Sequence, residues 1–328
     1  MFRKSIDFDT CTSCMLCERI CTNSRVIQKN DQGRPEFKFD YKCIYCGHCL
    51  AICPVQAITF EPLSQDDRNG QYFVAEPVQL DPAVMIPDAA AVYSLLGANR
   101  SNRIYLDRPV SKDKIEKVLD IMVRAPSAGN EQNRKYYILD DQAKLDDLEE
   151  RLKAHYQKTL VIYKNPILLR LVSLTSALNA SKTNKKNKQT ANPEASTAQP
   201  SLKSLYQFYK NLFQNDIIKD NAQISYLHGA PAAIIITSDP KAGLMHKGFY
   251  KGDVTIAATY GTLMAKALGL ATCWSGLLEM AVNKDRQLKK TLGINEKERV
   301  DSAIVLGYSN LEWQQMPPRG PARIVWHK

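Results

Sequence analysis

The chain has 328 residues, 44% of them hydrophobic and 24% charged, which is room for a small domain plus one ordinary core. Its formal net charge of +10 says little about nucleic acid. No run of about 18 uncharged apolar residues is present, so no transmembrane segment is expected.

The first element in chain order is "CTSCMLCERIC", residues 11–21, a C-x2-C-x2-C-x3-C run. A second run, "CIYCGHCLAICP", repeats that spacing 32 residues later, so eight of nine cysteines lie within the first 53 residues. Three thiolates two residues apart wrap one face of a cubane cluster, and the fourth reaches the cluster of the other run. The spacing therefore predicts Cys11, Cys14, Cys17 and Cys53 on one [4Fe-4S] cluster, and Cys43, Cys46, Cys49 and Cys21 on the other. A zinc site would want two C-x2-C pairs separated by a longer loop, and three cysteines in seven residues overfill one tetrahedral ion. Disulfides suit secreted domains, whereas "MFRKSIDFDT" has no apolar leader, so a reducing cytoplasm is expected. Residues 1–60 resemble a bacterial-type two-cluster ferredoxin domain. Thr22 stands where that family often has proline, Pro54 keeps the pattern, and His48 reads as a surface residue.

Residues 61–91, rich in Pro, Asp and Gln, read as a linker. Beyond it, Ile115, Val118, Leu119 and Met122 fall at helical spacing behind a Ser111 cap. "YYIL" from Tyr136 reads as a strand, and Leu145, Leu148 and Leu152 mark another helix. The stretch from Val161, broken by Lys164, Pro166 and Arg170, reads as a core or interface helix. Residues 181–201 are nearly devoid of large apolar groups and read as a polar insertion whose lysines are solvated. "APAAIIIT" suits a strand buried on both faces. Val254, Ala257, Ala258, Gly261, Ala265 and Leu268 line a small-residue helix ending near Gly269, and "SAIVLGY" and "ARIVWH" read as strands. This order predicts an α+β domain with one central mixed sheet flanked by helices, spanning 92–328.

Three stretches carry chemistry. "NRSNR" offers Arg100, Ser101 and Arg103, two cations and a hydroxyl suited to a phosphate. "APSAGNEQ" supplies Pro126, Ser127, Gly129 and Asn130, small groups that let backbone approach a flat ring. "LGLATCWSG" could present amides at Ser275 and Gly276 to an electron-rich ring nitrogen, with Cys273 beside them as a buried hydrophobe. In this order they resemble the FMN-binding nitroreductase superfamily. That resemblance implies a homodimer with FMN at the interface. It assigns Arg100, Ser101 and Arg103 to the FMN phosphate, with Arg319 as a late basic helper. It places Pro126, Ser127 and Asn130 against the flavin from the partner subunit, and Ser275 and Gly276 at its N5 edge.

With two [4Fe-4S] clusters in front, the resemblance implies an oxidoreductase that relays single electrons to FMN. The acceptor would be a small molecule: a nitroaromatic, quinone or conjugated carbonyl. The donor would be an external ferredoxin or NAD(P)H. A G-x-G-x-x-G fingerprint is absent. Two other readings stay open: a redox sensor without turnover, and a flavin loaded by NAD(P)H that exports electrons through the clusters.

Overall fold

The computed structural model describes residues 2–21, 26–38, 43–62, 78, 87–164, 225–240, 249–322 and 324–327. The 181–201 insertion, most of the 61–91 linker and Thr22 lie outside the described residues.

The two cysteine runs fold alike because their residue types demand the same turns. Strand β1 (Phe2–Ile6) pairs antiparallel with β4 (Ile58–Pro62), and β2 (Ile27–Lys29) forms a hairpin with β3 (Pro35–Phe37). Helix α1 (Leu16–Ile20) and helix α2 (His48–Ile52) follow the first two cysteines of each run at the 32-residue offset of the repeat. Each starts from a left-handed residue, Met15 at φ 59° and Gly47 at φ 74°. Each ends at the fourth cysteine, Cys21 or Cys53. Cys17, Ile27 and Ile58 make a small buried core with Ile6, Phe37, Cys49, Leu50 and Phe60 around it. So few apolar groups stabilise little by burial, and a unit this small ordinarily needs a metal to staple it.

The larger unit is a three-layer sandwich. Its sheet runs β5 (Lys135–Leu139), β6 (Ala232–Ser238), β8 (Arg299–Gly307), β7 (Ala271–Trp274), with β6 and β8 central. Every strand pair is antiparallel; the parallel contact that makes the sheet mixed is a single bridge from Ser101 to Thr272. Period-two alternation sends Ala232, Ile234 and Ile236 to one face and Ala233 and Ile235 to the other. Helices cover both faces, which is why "APAAIIIT" is continuously apolar although its sheet is antiparallel.

On one face lie α4 (Lys112–Arg124) and α6 (Tyr250–Ala267), joined by α3 (Ala89–Ala98), which packs on α6. On the other lie α5 (Gln142–Lys164), α7 (Gly276–Lys284) and α8 (Arg286–Thr291). Ile115, Val118 and Met122 are buried as their spacing predicts, while Ser111 caps α4 by position and makes no side-chain cap bond. Gly261 lets α4 approach closely: a Cβ there would stand 2.6 Å from the Met122 sulfur. Leu145, Leu148 and Leu152 are buried from α5, each fully buried leucine stabilising by about 1.5–3 kcal/mol.

One strand expectation fails. Of "ARIVWH", residues 322 and 324–327 are irregular and exposed, with Trp326 at 84%, and Arg323 lies outside the described residues. Among the described residues its β-favouring side chains have no strand beside them to pair with, and propensity without a partner does not make a strand.

Candidate functional site

Cys11, Cys14, Cys17 and Cys53 line one cavity, together with Ile6, Val55 and Ile58. This is the crossed set expected from spacing. Burial pushes the Cys49 thiol up to about 11, and Cys46, Cys43 and Cys21 lie near enough to add to the rise. Burial likewise raises Cys17, with Cys11 and Cys14 beside it. Among the described residues, no three His, Cys, Asp or Glu side chains converge tightly enough for a single metal ion. No disulfide joins any of the nine cysteines, and His48 is exposed. Two backbone amides already point at sulfur: Tyr45 N–H donates to Cys43 Sγ at 3.4 Å, and Ala57 N–H to Cys53 Sγ at 3.3 Å. Donors of this kind stabilise thiolate charge, so the donor set fits iron-sulfur clusters, whose bonded thiols are deprotonated outright.

Helix α4 stops at Arg124 because Pro126 cannot continue it, and residues 125–134 form a braced turn. The Ala128 amide donates to both oxygens of the buried Asp253 carboxylate on α6, at 3.2 Å each. Gln132 N–H donates to Ser127 Oγ, and the Arg134 guanidinium donates to Ala125 O. Asn130 is left-handed at φ 54°, a conformation asparagine tolerates better than most side chains. Its Oδ1 accepts from Gln132 Nε2 at 3.0 Å, which turns its Nδ2 outward. That Nδ2 donates to the carbonyls of Ile44, at 3.0 Å, and Tyr45, at 2.9 Å. By the resemblance Asn130 lines a flavin; in this structure its amide reaches the second cysteine run of its own chain. Pro126 is exposed and Ser127 half-buried.

The "NRSNR" residues do not converge. Ser101 and Arg103 lie on the Cys273 side: both are close enough to lower the Cys273 thiol, and Arg103 also influences Tyr105 and His228. Arg100 instead lines a separate cavity with Asn99, Asn102, Lys266 and Trp313, and donates to Gly97 O at 2.7 Å. Alternation along an extended segment accounts for the split. The Nε of Arg100 is buried without an acceptor among the described residues, so this cation is poised for an anion. Cys273 is buried, as expected of a small hydrophobe, and burial raises its thiol.

Ser275 is corrected. Its N–H donates to Ala303 O at 2.8 Å inside the sheet, so that amide cannot also serve a ring nitrogen, and its hydroxyl caps α7 by accepting from Leu278 N–H. Gly276 is exposed at the first turn of α7, with open space where a Cβ would be. Arg319 lies on the exposed segment after β8. Asp253, Gln132 and Lys266 were missed because each sits in an unremarkable helix or turn; only tertiary contact gives it a role.

Residues 97–308 match the sequence model of the Nitroreductase family, and residues 3–54 match that of the 4Fe-4S dicluster domain. An Archaeoglobus fulgidus protein carrying the name NADH dehydrogenase/NAD(P)H nitroreductase is 22% identical over 65% of this chain and 83% of its own length. The pyruvate synthase subunit PorD of Thermotoga maritima is 34% identical over 62 residues, 19% of this chain and 61% of that protein. Among solved structures, a nitroreductase with bound FMN from Bacteroides fragilis is 19% identical, with a TM-score of 0.46 over 71% of this chain and 98% of that one.

Proposed function

We propose, for a chain that belongs to the Nitroreductase family and carries a 4Fe-4S dicluster domain in front, an FMN-dependent oxidoreductase. In it, two [4Fe-4S] clusters relay electrons toward FMN for two-electron reduction of a small organic acceptor such as a nitroaromatic, quinone or conjugated carbonyl. The single observation that carries this reading is the pair of hydrogen bonds from Asn130 to the Ile44 and Tyr45 carbonyls. They put a cysteine-run loop against the turn that, by family resemblance, borders the flavin.

Each part of the chain has a task in this reading. Cys11, Cys14, Cys17 and Cys53 hold one cluster, and Cys43, Cys46, Cys49 and Cys21 the other. Arg100, whose buried Nε lacks an acceptor among the described residues, binds the phosphate end of FMN. Pro126, Ser127 and Gly276 border the ring, and Arg319 adds positive charge. When bound, FMN supplies the step from single electrons to paired delivery. The covered, apolar sheet keeps the framework rigid around it.

A homodimer is part of the proposal. Helix α3, "AAAVYSLLGA", buries none of its residues, and Tyr93 is 70% exposed. An apolar helix left this open suits a second copy. Among the described residues no helix is long and apolar enough to cross a membrane.

Anaerobic purification tests the reading: about eight irons and one FMN per chain are expected. A colourless protein, or zinc in place of iron, would end it. The name of the Archaeoglobus relative favours one variant, in which NAD(P)H loads the flavin. Stopped-flow mixing separates the two, since cluster bleaching precedes flavin bleaching with a ferredoxin donor and follows it with NADH.

A further inference from the structure

The Asn130 contact reaches beyond docking. Its Nδ2 donates to the Ile44 carbonyl, and the N–H of that same Ile44–Tyr45 peptide donates to Cys43 Sγ. One peptide group therefore links an amide of the reductase unit to a sulfur of the second cysteine run. A donor at the carbonyl end polarises the peptide and strengthens the bond its N–H makes at the other end. Reduction potentials of iron-sulfur clusters respond to hydrogen bonds at their sulfurs and to solvent exposure.

The geometry assigns Asn130 as a positioning residue that latches the second cysteine run to the reductase unit and raises the reduction potential of the cluster held there. The inference rests on the proposal that the two runs hold clusters, and it deepens that proposal by making the two centres unequal. Several features argue for a built contact. Gln132 fixes the orientation of the Asn130 amide, and Asp253 and Arg134 anchor the turn that bears it. Tyr45 is left-handed at φ 53°, as Ser13 is at φ 55° in the first run, so the two loops present the same peptide geometry. Asn130 contacts the second loop. The Lys4 ammonium lies 4.3 Å from the Tyr45 ring centre and adds positive charge on that side.

The test is an EPR-monitored redox titration of the anaerobically purified full chain, with dithionite supplying one electron per cluster. Asn130→Asp and Asn130→Gly are the variants, since both residues accept left-handed backbone while neither offers an amide donor. Cys46→Ser identifies the signal of the second cluster. In both Asn130 variants the equilibrium for reducing the second cluster should fall about fivefold to tenfold, the latter being 59 mV for one electron, while the first cluster stays put. Amide hydrogen exchange in residues 43–47 should quicken about tenfold or more, because two hydrogen bonds are lost. If both potentials move together, or neither moves while two clusters are present, the latch is wrong and the cluster proposal stands. If wild-type protein holds no clusters, both fall.

Discussion

The two cysteine runs are one local structure in two different surroundings. Both have the same spacing, the same left-handed residues and helices at the same offset. The first run closes a cavity with Cys53 inside the small unit. The second is tied by its Ile44 and Tyr45 carbonyls to a turn 85 and more residues away. Identical ligand geometry thus does not imply identical electronics, because hydrogen bonds and solvent around a cluster set its potential as much as the ligands do.

The severest way to break this comparison is to remove a crossing ligand. Cys53→Ala should cost the first-run cluster and about half of the iron, and Cys21→Ala the second-run cluster, read by iron analysis and cluster-specific EPR. Loss of the nearer cluster in either variant would overturn the crossed assignment.

A second perturbation leaves both runs alone and strikes what they serve. Arg100→Ala should weaken FMN retention by roughly 1.5–3 kcal/mol, the worth of a hydrogen bond to a charged group, and Arg103→Ala, on the Cys273 side, should weaken it less. Cluster absorbance should persist. Fluorescence of released flavin measures this, and a loss confined to Arg100→Ala would place the phosphate in the cavity shared with Lys266.

Smaller still is the charge above Tyr45. Lys4→Met removes a buried ammonium poised over the ring, a contact worth about 1–2 kcal/mol. It should lower the second potential slightly and leave the first unmoved in the same titration.

The smallest effect belongs to the first run and to acid. The Asp7 carboxylate is held below its ordinary value by the Asp9 amide and the Thr10 hydroxyl just before Cys11. A carboxylate with a depressed folded value stabilises above its unfolded value and loses that contribution as pH falls through the folded one. Asp7→Asn should therefore flatten the acid-induced loss of the first cluster on the low-pH side, and leave the second run's acid profile unchanged.

Some of the site was legible in the sequence for local reasons. Cysteine spacing foretold which thiols share a cavity, since turns of two and three residues fix where sulfurs point. The helical spacing of Ile115, Val118 and Met122, and the small residues around Gly261, foretold buried faces. Other readings failed where a residue's partner is distant. Ser275 looked like a free amide until Ala303 claimed it. Arg100 and Arg103 looked like one phosphate clamp until an extended backbone turned them apart. "ARIVWH" looked like a strand because propensity cannot tell whether a neighbouring strand exists.

The sequence by itself determined the two matching cysteine runs, the layered α+β architecture and the family, because short-range spacing and hydrophobic period are properties of consecutive residues. Tertiary structure alone decided which cysteine run meets the reductase unit. That choice depends on one asparagine amide, aimed by Gln132 and anchored through Asp253, reaching two carbonyls that no periodicity connects to it.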